Sequence, residues 1–331
     1  MKNSKLRRFY FTITSTFRFL LKIKNLKWIN SNNSLSPFIG RIWSYYYSNI
    51  NGEISEAYLC EPYYYNKLES KRNDFILAPF FEHKGYLDLI LTSGAIHNIY
   101  SRFNGVIYND LNEVVTYNDM CDSLDRVKSD IVIKRSVGTG GGKDVYIGAY
   151  TTLKHEARDL LSSSHDFVIQ DCLEQHSTLT SYNTTSINTI RVLTFRVGGK
   201  INVISVVFRM GNGNRVDNSA SGGLSCGVDL NSGKLNNFAV DHDFNVYTKH
   251  PFSHKKFSDR DTLPYFEEIK GVTSKNHSKI KNHDLISWDV SVDDLGRITI
   301  IEFNSVWSEI NFHQVNNGPI FKEYMSYIKG L

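Results

Sequence analysis

Short runs of β-branched and aromatic residues, separated by glycine and aspartate turns, dominate the chain beyond residue 130. Ile131-Val-Ile-Lys-Arg135 and Phe167-Val-Ile-Gln-Asp-Cys-Leu173 each predict a strand. Thr189–Arg196 and Ile201–Arg209 predict a hairpin joined by Val197-Gly-Gly-Lys200, because Gly198 and Gly199 can both take the positive φ of a tight turn. A last hairpin is predicted over residues 285–304: Leu-Ile-Ser-Trp-Asp-Val-Ser-Val, then Asp-Asp-Leu-Gly, then Arg-Ile-Thr-Ile-Ile-Glu-Phe-Asn. Residues 51–130 instead mix helical stretches with short apolar runs such as Phe75-Ile-Leu-Ala-Pro-Phe-Phe81. Antiparallel hairpins among helices indicate the α+β class.

At 331 residues the chain is long enough for two or three packed lobes, and its 41% hydrophobic and 22% charged residues are those of a globular protein. The net charge of +4 is too small to imply nucleic acid, and no nucleic-acid partner is expected. The charge is unevenly spread. Lys2, Lys5, Arg7, Arg8, Arg18, Lys22, Lys24, Lys27 and Arg41 all precede the first acidic residue, Glu53, so the remainder is acidic on balance. Residues 1–50 are read as a basic helical leader and 51–120 as a separate N-terminal segment. The apolar run Phe9–Leu21 is interrupted by Arg18 and falls short of the ~20 residues a bilayer span needs. Residues 1–30 are open to two readings, contact with an anionic membrane surface or a helix packed on the domain. Cys60, Cys121, Cys172 and Cys226 form no CxxC pair, a pattern of reduced thiols in the cytoplasm.

Three groups of residues carry candidate chemistry. In the last hairpin, a two- or four-residue loop centred on Leu295-Gly296 would place Asp289 opposite Glu302, with Asn304 two residues on and on the same face. Two carboxylates and an amide among Ile, Val, Phe and Trp suit a Mg²⁺ ion completed by phosphates and water, or else line one wet face of the sheet. Gly138-Thr-Gly-Gly-Gly142 follows the strand that carries Lys134. It is either a phosphate cradle or a plain flexible hairpin, and it is not a Walker A loop. Asn188, Arg191, Arg209, Asp217 and Asn218 lie along the central hairpin and the turn after it. Its arginines can clamp a phosphate or serve as ion-pair partners.

The order of these features resembles the ATP-grasp superfamily, and more narrowly its sugar-transfer-associated family from bacterial surface-polysaccharide loci. The matching stretches are 131–148, 168–176, 186–195, 208–223 and 287–304. The resemblance implies an ATP-grasp fold, with a small lobe at 121–175 and a large lobe at 176–331. It implies ATP on Lys84 and Lys134, under a mobile flap at Val137–Lys143 that contains Gly138, Gly140, Gly141 and Gly142. Adenine would lie along Gln170–Leu173, with Asp171 or His176 reaching the ribose. Mg²⁺ would sit on Asp289, Glu302 and Asn304. Arg209 and Arg191 would stabilise the transferring phosphoryl group, with Asn188, Asp217 and Asn218 nearby. Many ATP-grasp ligases have an arginine two residues before the metal aspartate; here Ser287 stands there, and Arg209 is the candidate for that role. The Pro-Gly that often follows Glu-x-Asn is replaced by Ser305-Val-Trp307, a departure on the acceptor side. His83 precedes Lys84 where relatives often have aspartate.

The function this resemblance implies is an ATP-dependent carboxylate–amine ligase acting through an acyl-phosphate. Its partners would be a small-molecule or sugar-linked carboxylate and an amine, and its place the cytoplasm or the inner-membrane surface. A small-molecule kinase and a nucleotide-binding scaffold are the alternatives.

Overall fold

The computed structural model describes residues 37–138, 144–213 and 222–330. The basic segment before Pro37, the flap glycines Gly140, Gly141 and Gly142, and Asp217 and Asn218 lie outside these residues. Among the described residues no helix is long and apolar enough to cross a membrane.

Helix α1 (Pro37–Asn51) opens at a proline, whose missing N–H is not needed in a first helical turn. It buries Ile42, Trp43 and Tyr47, so the last third of the expected leader is part of the packed fold.

Thirteen strands are described, in two antiparallel sheets. The smaller has the order β3-β2-β1-β6-β4-β5: β1 (Asn98–Phe103), β2 (Val106–Asn109), β3 (Val114–Val115), β4 (Ile131–Arg135), β5 (Val145–Gly148) and β6 (Phe167–Asp171). The predicted strands at 131 and 167 are its centre. Residues 98–115, expected in a separate segment ending at 120, instead pair with β6 through β1 and belong to this sheet.

The larger sheet has the order β11-β10-β9-β8-β7-β12-β13. Its members are β7 (Thr189–Val197), β8 (Lys200–Met210), β9 (Leu224–Val228), β10 (Leu235–Val240), β11 (Val246–Tyr247), β12 (Leu285–Val292) and β13 (Ile298–Asn304). Gly198 and Gly199, at φ 56° and 81°, make the predicted two-residue turn between β7 and β8.

Alternation along these strands separates two faces. Ile190, Val192, Val206, Phe208, Ile286, Trp288 and Val290 join Phe266 and Ile269 of helix α2 (Phe266–His277) in the main core. Arg191, Arg209 and Asp289 alternate with them and point to the other face, partly covered by helix α3 (Ile310–Asn317).

One short segment stitches the sheets together. The Gly94 carbonyl accepts a hydrogen bond from the Ile300 N–H (2.6 Å), and the Ile96 N–H donates to the Ile300 carbonyl (3.2 Å). Gly94 has φ 76°, and a Cβ there would stand 3.0 Å from the Ile298 carbonyl oxygen, so the position requires glycine.

Candidate active site

The last hairpin positions the central carboxylates. Its loop, residues 293–297, has five residues rather than the expected two or four. An odd loop alone would turn Glu302 away from Asp289. A bulge at Ile301 restores the register, so Asp289 pairs with Glu302 and Ser287 with Asn304. Ser291 and Thr299 extend the same row. The Ser287 hydroxyl, opposite Asn304, is buried without a hydrogen-bond partner.

Asp289 is 2% exposed and both its oxygens are engaged by Arg191: Nε to Oδ1 at 2.8 Å and Nη2 to Oδ2 at 2.7 Å. Arg209 Nη1 stands 3.6 Å from the same Oδ2. Burial works against the charge of Arg191, but the Asp289 carboxylate outweighs it and keeps the guanidinium firmly protonated. His313 of α3 lies under the two arginines, with Nδ1 2.8 Å from Ser205 Oγ. Burial first, then the charges of Arg191 and Arg209, push its pKa down to about 3, so it is neutral.

Glu302 faces the other sheet. Its Oε2 is 3.0 Å from Lys84 Nζ. The backbone of Lys84 is tied to the smaller sheet, by its N–H to the Ser136 carbonyl and by its carbonyl to Asn98 Nδ2. The ion pair therefore crosses the cleft. Lys134 is 6% exposed on β4 and adds a second cation. Burial alone would raise the Glu302 carboxyl, but Lys84 and Lys134 hold it at about 2. Lys134 is itself pushed down to about 8 by burial and the charge of Lys84. Two lysines against one carboxylate leave a positive excess suited to phosphate.

Beside this cluster opens a cavity of about 390 Å³, large enough for a base and ribose. Ile96, Asp171, Cys172, Leu173 and Glu174 line one wall, and Ser291 and Thr299 of the carboxylate face line the other. Asp171 and Leu173, expected along the adenine and ribose, line this cavity. Gln170 is not part of its lining, because its backbone is paired between β1 and β4 and its side-chain Nε2 donates to Asn98.

Two other expected site residues have structural partners instead. Asn188 Nδ2 donates to the carbonyls of Leu179 and Asn183, and its Oδ1 accepts from Gly211 N–H, so the amide pins two loops. His176 caps the turn after β6, its Nδ1 accepting from Thr178 N–H, with Nε2 3.6 Å from Asp294. His83 stacks on Phe103 with centroids 4.9 Å apart, and its Nδ1 accepts from Gly85 N–H. Gly138 lies beyond the end of β4 with φ 71°, at the start of the expected flap.

Sequence reasoning missed the acids around the turn after β13. Glu82 Oε1 accepts from the N–H groups of Ser305 (2.8 Å) and Val306 (3.0 Å). Glu69, fully buried, accepts from Ser308 N–H at 3.1 Å. Burial pushes the Glu69 carboxyl up to about 7, against the pull of the Ser308 and Trp307 N–H groups. Glu309 Oε2 then lies 3.4 Å from Arg191 Nη1. A buried glutamate among tyrosines (Tyr63-Tyr-Tyr-Asn-Lys-Leu-Glu69) was the available signal.

Two antiparallel sheets gripping a cleft, with cross-cleft lysines and a carboxylate hairpin, define an ATP-grasp protein. The chain belongs to the sugar-transfer associated ATP-grasp family, whose model matches residues 65–329. No curated protein matches it. Among solved structures it is similar to the N5-carboxyaminoimidazole synthase of Aspergillus clavatus in complex with ADP and 5-aminoimidazole ribonucleotide. The identity is 7% over 71% of this chain and 47% of that one, with a TM-score of 0.42. It is also similar to the biotin carboxylase of Campylobacter jejuni in an ATP-analogue complex, at 11% identity over 77% and 47% of the two chains and a TM-score of 0.43. For the D-alanyl-alanine synthetase A of Vibrio cholerae O1 the values are 10%, 76%, 64% and 0.42. The chain spans about half the length of the first two.

Proposed function

We propose that this protein is an ATP-dependent ligase that activates a carboxylate as an acyl-phosphate and joins it to an amine. The observation that carries this reading is the cross-cleft cluster of Lys84, Lys134 and Glu302, next to the Asp289–Arg191–Arg209 group, on the strand row whose Ser291 and Thr299 line the cavity at Leu173. A carboxylate attacking a phosphoryl group is anion meeting anion, and fixed cations lower that repulsion. Lys84 and Lys134 would hold the nucleotide phosphates, and the cavity would take adenine and ribose.

Mg²⁺ fits this donor set: the Glu302 carboxylate and the Asn304 amide share a face, beside the unpartnered Ser287 hydroxyl. Asp289 would join them only on exchanging its Arg191 contacts. When bound, the ion would supply charge neutralisation at the β- and γ-phosphates. Arg209 and Arg191 would orient the γ-phosphoryl group and the acyl oxygens.

The family's association with sugar transfer supports a sugar-linked acid of a surface polysaccharide as the first candidate carboxylate. The work would be done in the cytoplasm or at the inner membrane, with residues 1–30 as the contact.

Two experiments test this. Calorimetry should show Mg²⁺-dependent ATP binding that Glu302→Ala weakens at least tenfold. Incubation with Mg·ATP, D-glucuronate or D-galacturonate, and hydroxylamine should yield the hydroxamate of a trapped acyl-phosphate. No nucleotide binding would remove the ATP-grasp enzyme reading. ADP release without hydroxamate would favour a kinase.

A further inference from the structure

The turn between β13 and α3 contains two non-glycine residues in the left-handed region, Trp307 at φ 62° and Glu309 at φ 51°. Both are disfavoured for L-residues, and such strain persists only where the surroundings over-determine it. Here they do. Glu82 and Glu69 bind the backbone N–H groups of Ser305, Val306 and Ser308, as described above. The Trp307 ring packs on Tyr65 (5.1 Å) and edge-on to Phe75 (5.9 Å). The product of this scaffolding is the placement of one side chain: Glu309, half exposed, with its carboxylate at the rim of the arginine pair.

The carboxylates around the site divide by what holds them. Asp289 is buried and bonded to Arg191; Glu302 faces Lys84; Glu69 and Glu82 are spent on the turn. Glu309 touches Arg191 only at 3.4 Å, while Arg191 already has a closer partner in Asp289, and 49% of the Glu309 side chain meets solvent. It is the most exposed carboxylate of this group, ahead of Glu302 at 35%, whose Oε2 is held by Lys84 at 3.0 Å.

A carboxylate–amine ligase needs such a group. Its amine substrate arrives as an ammonium ion and must be held beside two arginines that would otherwise repel it. We propose that Glu309 is the residue that recognises the amine substrate, binding its ammonium group at the rim of the arginine pair. This rests on the ligase reading above. The strained turn then acts as a specificity element, since it aims this carboxylate.

The test uses the full chain with D-glucuronate or D-galacturonate, Mg·ATP, and either hydroxylamine or a mixture of L-amino acids as nucleophile. Hydroxylamine is mostly uncharged near neutral pH and does not need an ammonium site. Glu309→Gln should raise KM for the amine about 10- to 100-fold, the worth of one charge-assisted hydrogen bond. Its kcat should change far less, and hydroxamate formation should fall at least tenfold less than amide formation. Glu309→Asp should recover part of the KM. Glu309→Gly, which relieves the backbone strain, should fold at least as stably and show the same KM defect. An equal loss with both nucleophiles, or an unchanged amine KM, would overturn the assignment. A wild-type protein that yields no hydroxamate would count against the ligase reading itself, so the two failures are separable.

Discussion

Replacing Asp289 by leucine tests whether the Asp289–Arg191 pair is what organises the arginines. Both partners are buried, with side chains 3% and 7% exposed, and their contact is bidentate at 2.8 and 2.7 Å. Removing one partner of such a pair leaves an uncompensated buried charge at a cost of about 3–5 kcal/mol, whereas replacing both by apolar groups is often near neutral. The geometry makes the two single replacements unequal. Asp289→Leu removes the acid facing both buried cations, leaving Arg191 with the half-exposed Glu309 at 3.4 Å, and should fall near the top of that range. Arg191→Met leaves Asp289 with Arg209 at 3.6 Å and should cost about 2–3 kcal/mol. The double variant still leaves Arg209 buried without Asp289 and should cost about 3 kcal/mol, well below the sum of the two single losses, giving a coupling energy of at least about 3 kcal/mol. Urea denaturation followed by tryptophan fluorescence, on all four proteins, measures each term. Additive losses, or an Asp289→Leu cost under about 1 kcal/mol, would show that the pair does not hold the site together.

Three further outcomes follow from the same structure. His277 and His313 are buried with pKa values near 3, against about 6.5 unfolded, so both are neutral in the fold. The stability this carries is complete above pH 6.5 and is lost as pH falls toward 3, at about 1.4 kcal/mol per pH unit for each histidine; urea titrations at pH 7, 6 and 5 would show it, and a flat profile would contradict it. Lys134, at about 8, should lose its charge as pH rises, so ATP affinity measured by calorimetry should fall between pH 7.5 and 9, and Lys134→Met should flatten that dependence. Gly94→Ala should destabilise the fold by about 1–3 kcal/mol, because φ 76° and the Ile298 carbonyl at 3.0 Å both exclude a Cβ; thermal melting comparable to wild type would refute this.

The elements that were legible in the chain are those written locally. Gly198-Gly199 specifies a turn, and the runs around it specify its strands, so β7, β8, β12 and β13 could be read nearly to the residue. The facing of Asp289 and Glu302 also held, but by a different route: a five-residue loop compensated by a bulge at Ile301, which no local signal announces. Pairing between β1 and β6 joins distant parts of the chain, and so the membership of residues 98–115 in this sheet could not be read locally. The candidate cations and acids were picked out by type and order, and the fold brings Lys84, Lys134, Glu302, Asp289, Arg191 and Arg209 together. What escaped was the division of labour among them: which carboxylate neutralises an arginine, which binds backbone N–H groups, and which is left to solvent. That depends on burial and partner distance. Asn188 illustrates it, since its amide looks available in the chain and is consumed by Leu179, Asn183 and Gly211 in the fold.

The stitch between Gly94, Ile96 and Ile300 also has a mechanical meaning. It lies two residues from Glu302 and next to the row of Asn98, Gln170 and Val132 at the near end of the smaller sheet. A rotation of that sheet about the stitch gives its parts very different lever arms. The Lys84–Glu302 bridge sits close to the axis and is carried through almost unchanged. Strand β4, at about 3.3 Å per residue, carries Gly138 outward from that row, so Gly138 has a longer lever arm than the row itself. Opening of the cleft therefore need not break its strongest charge contact: the axis keeps the electrostatics assembled while the rim supplies the clearance.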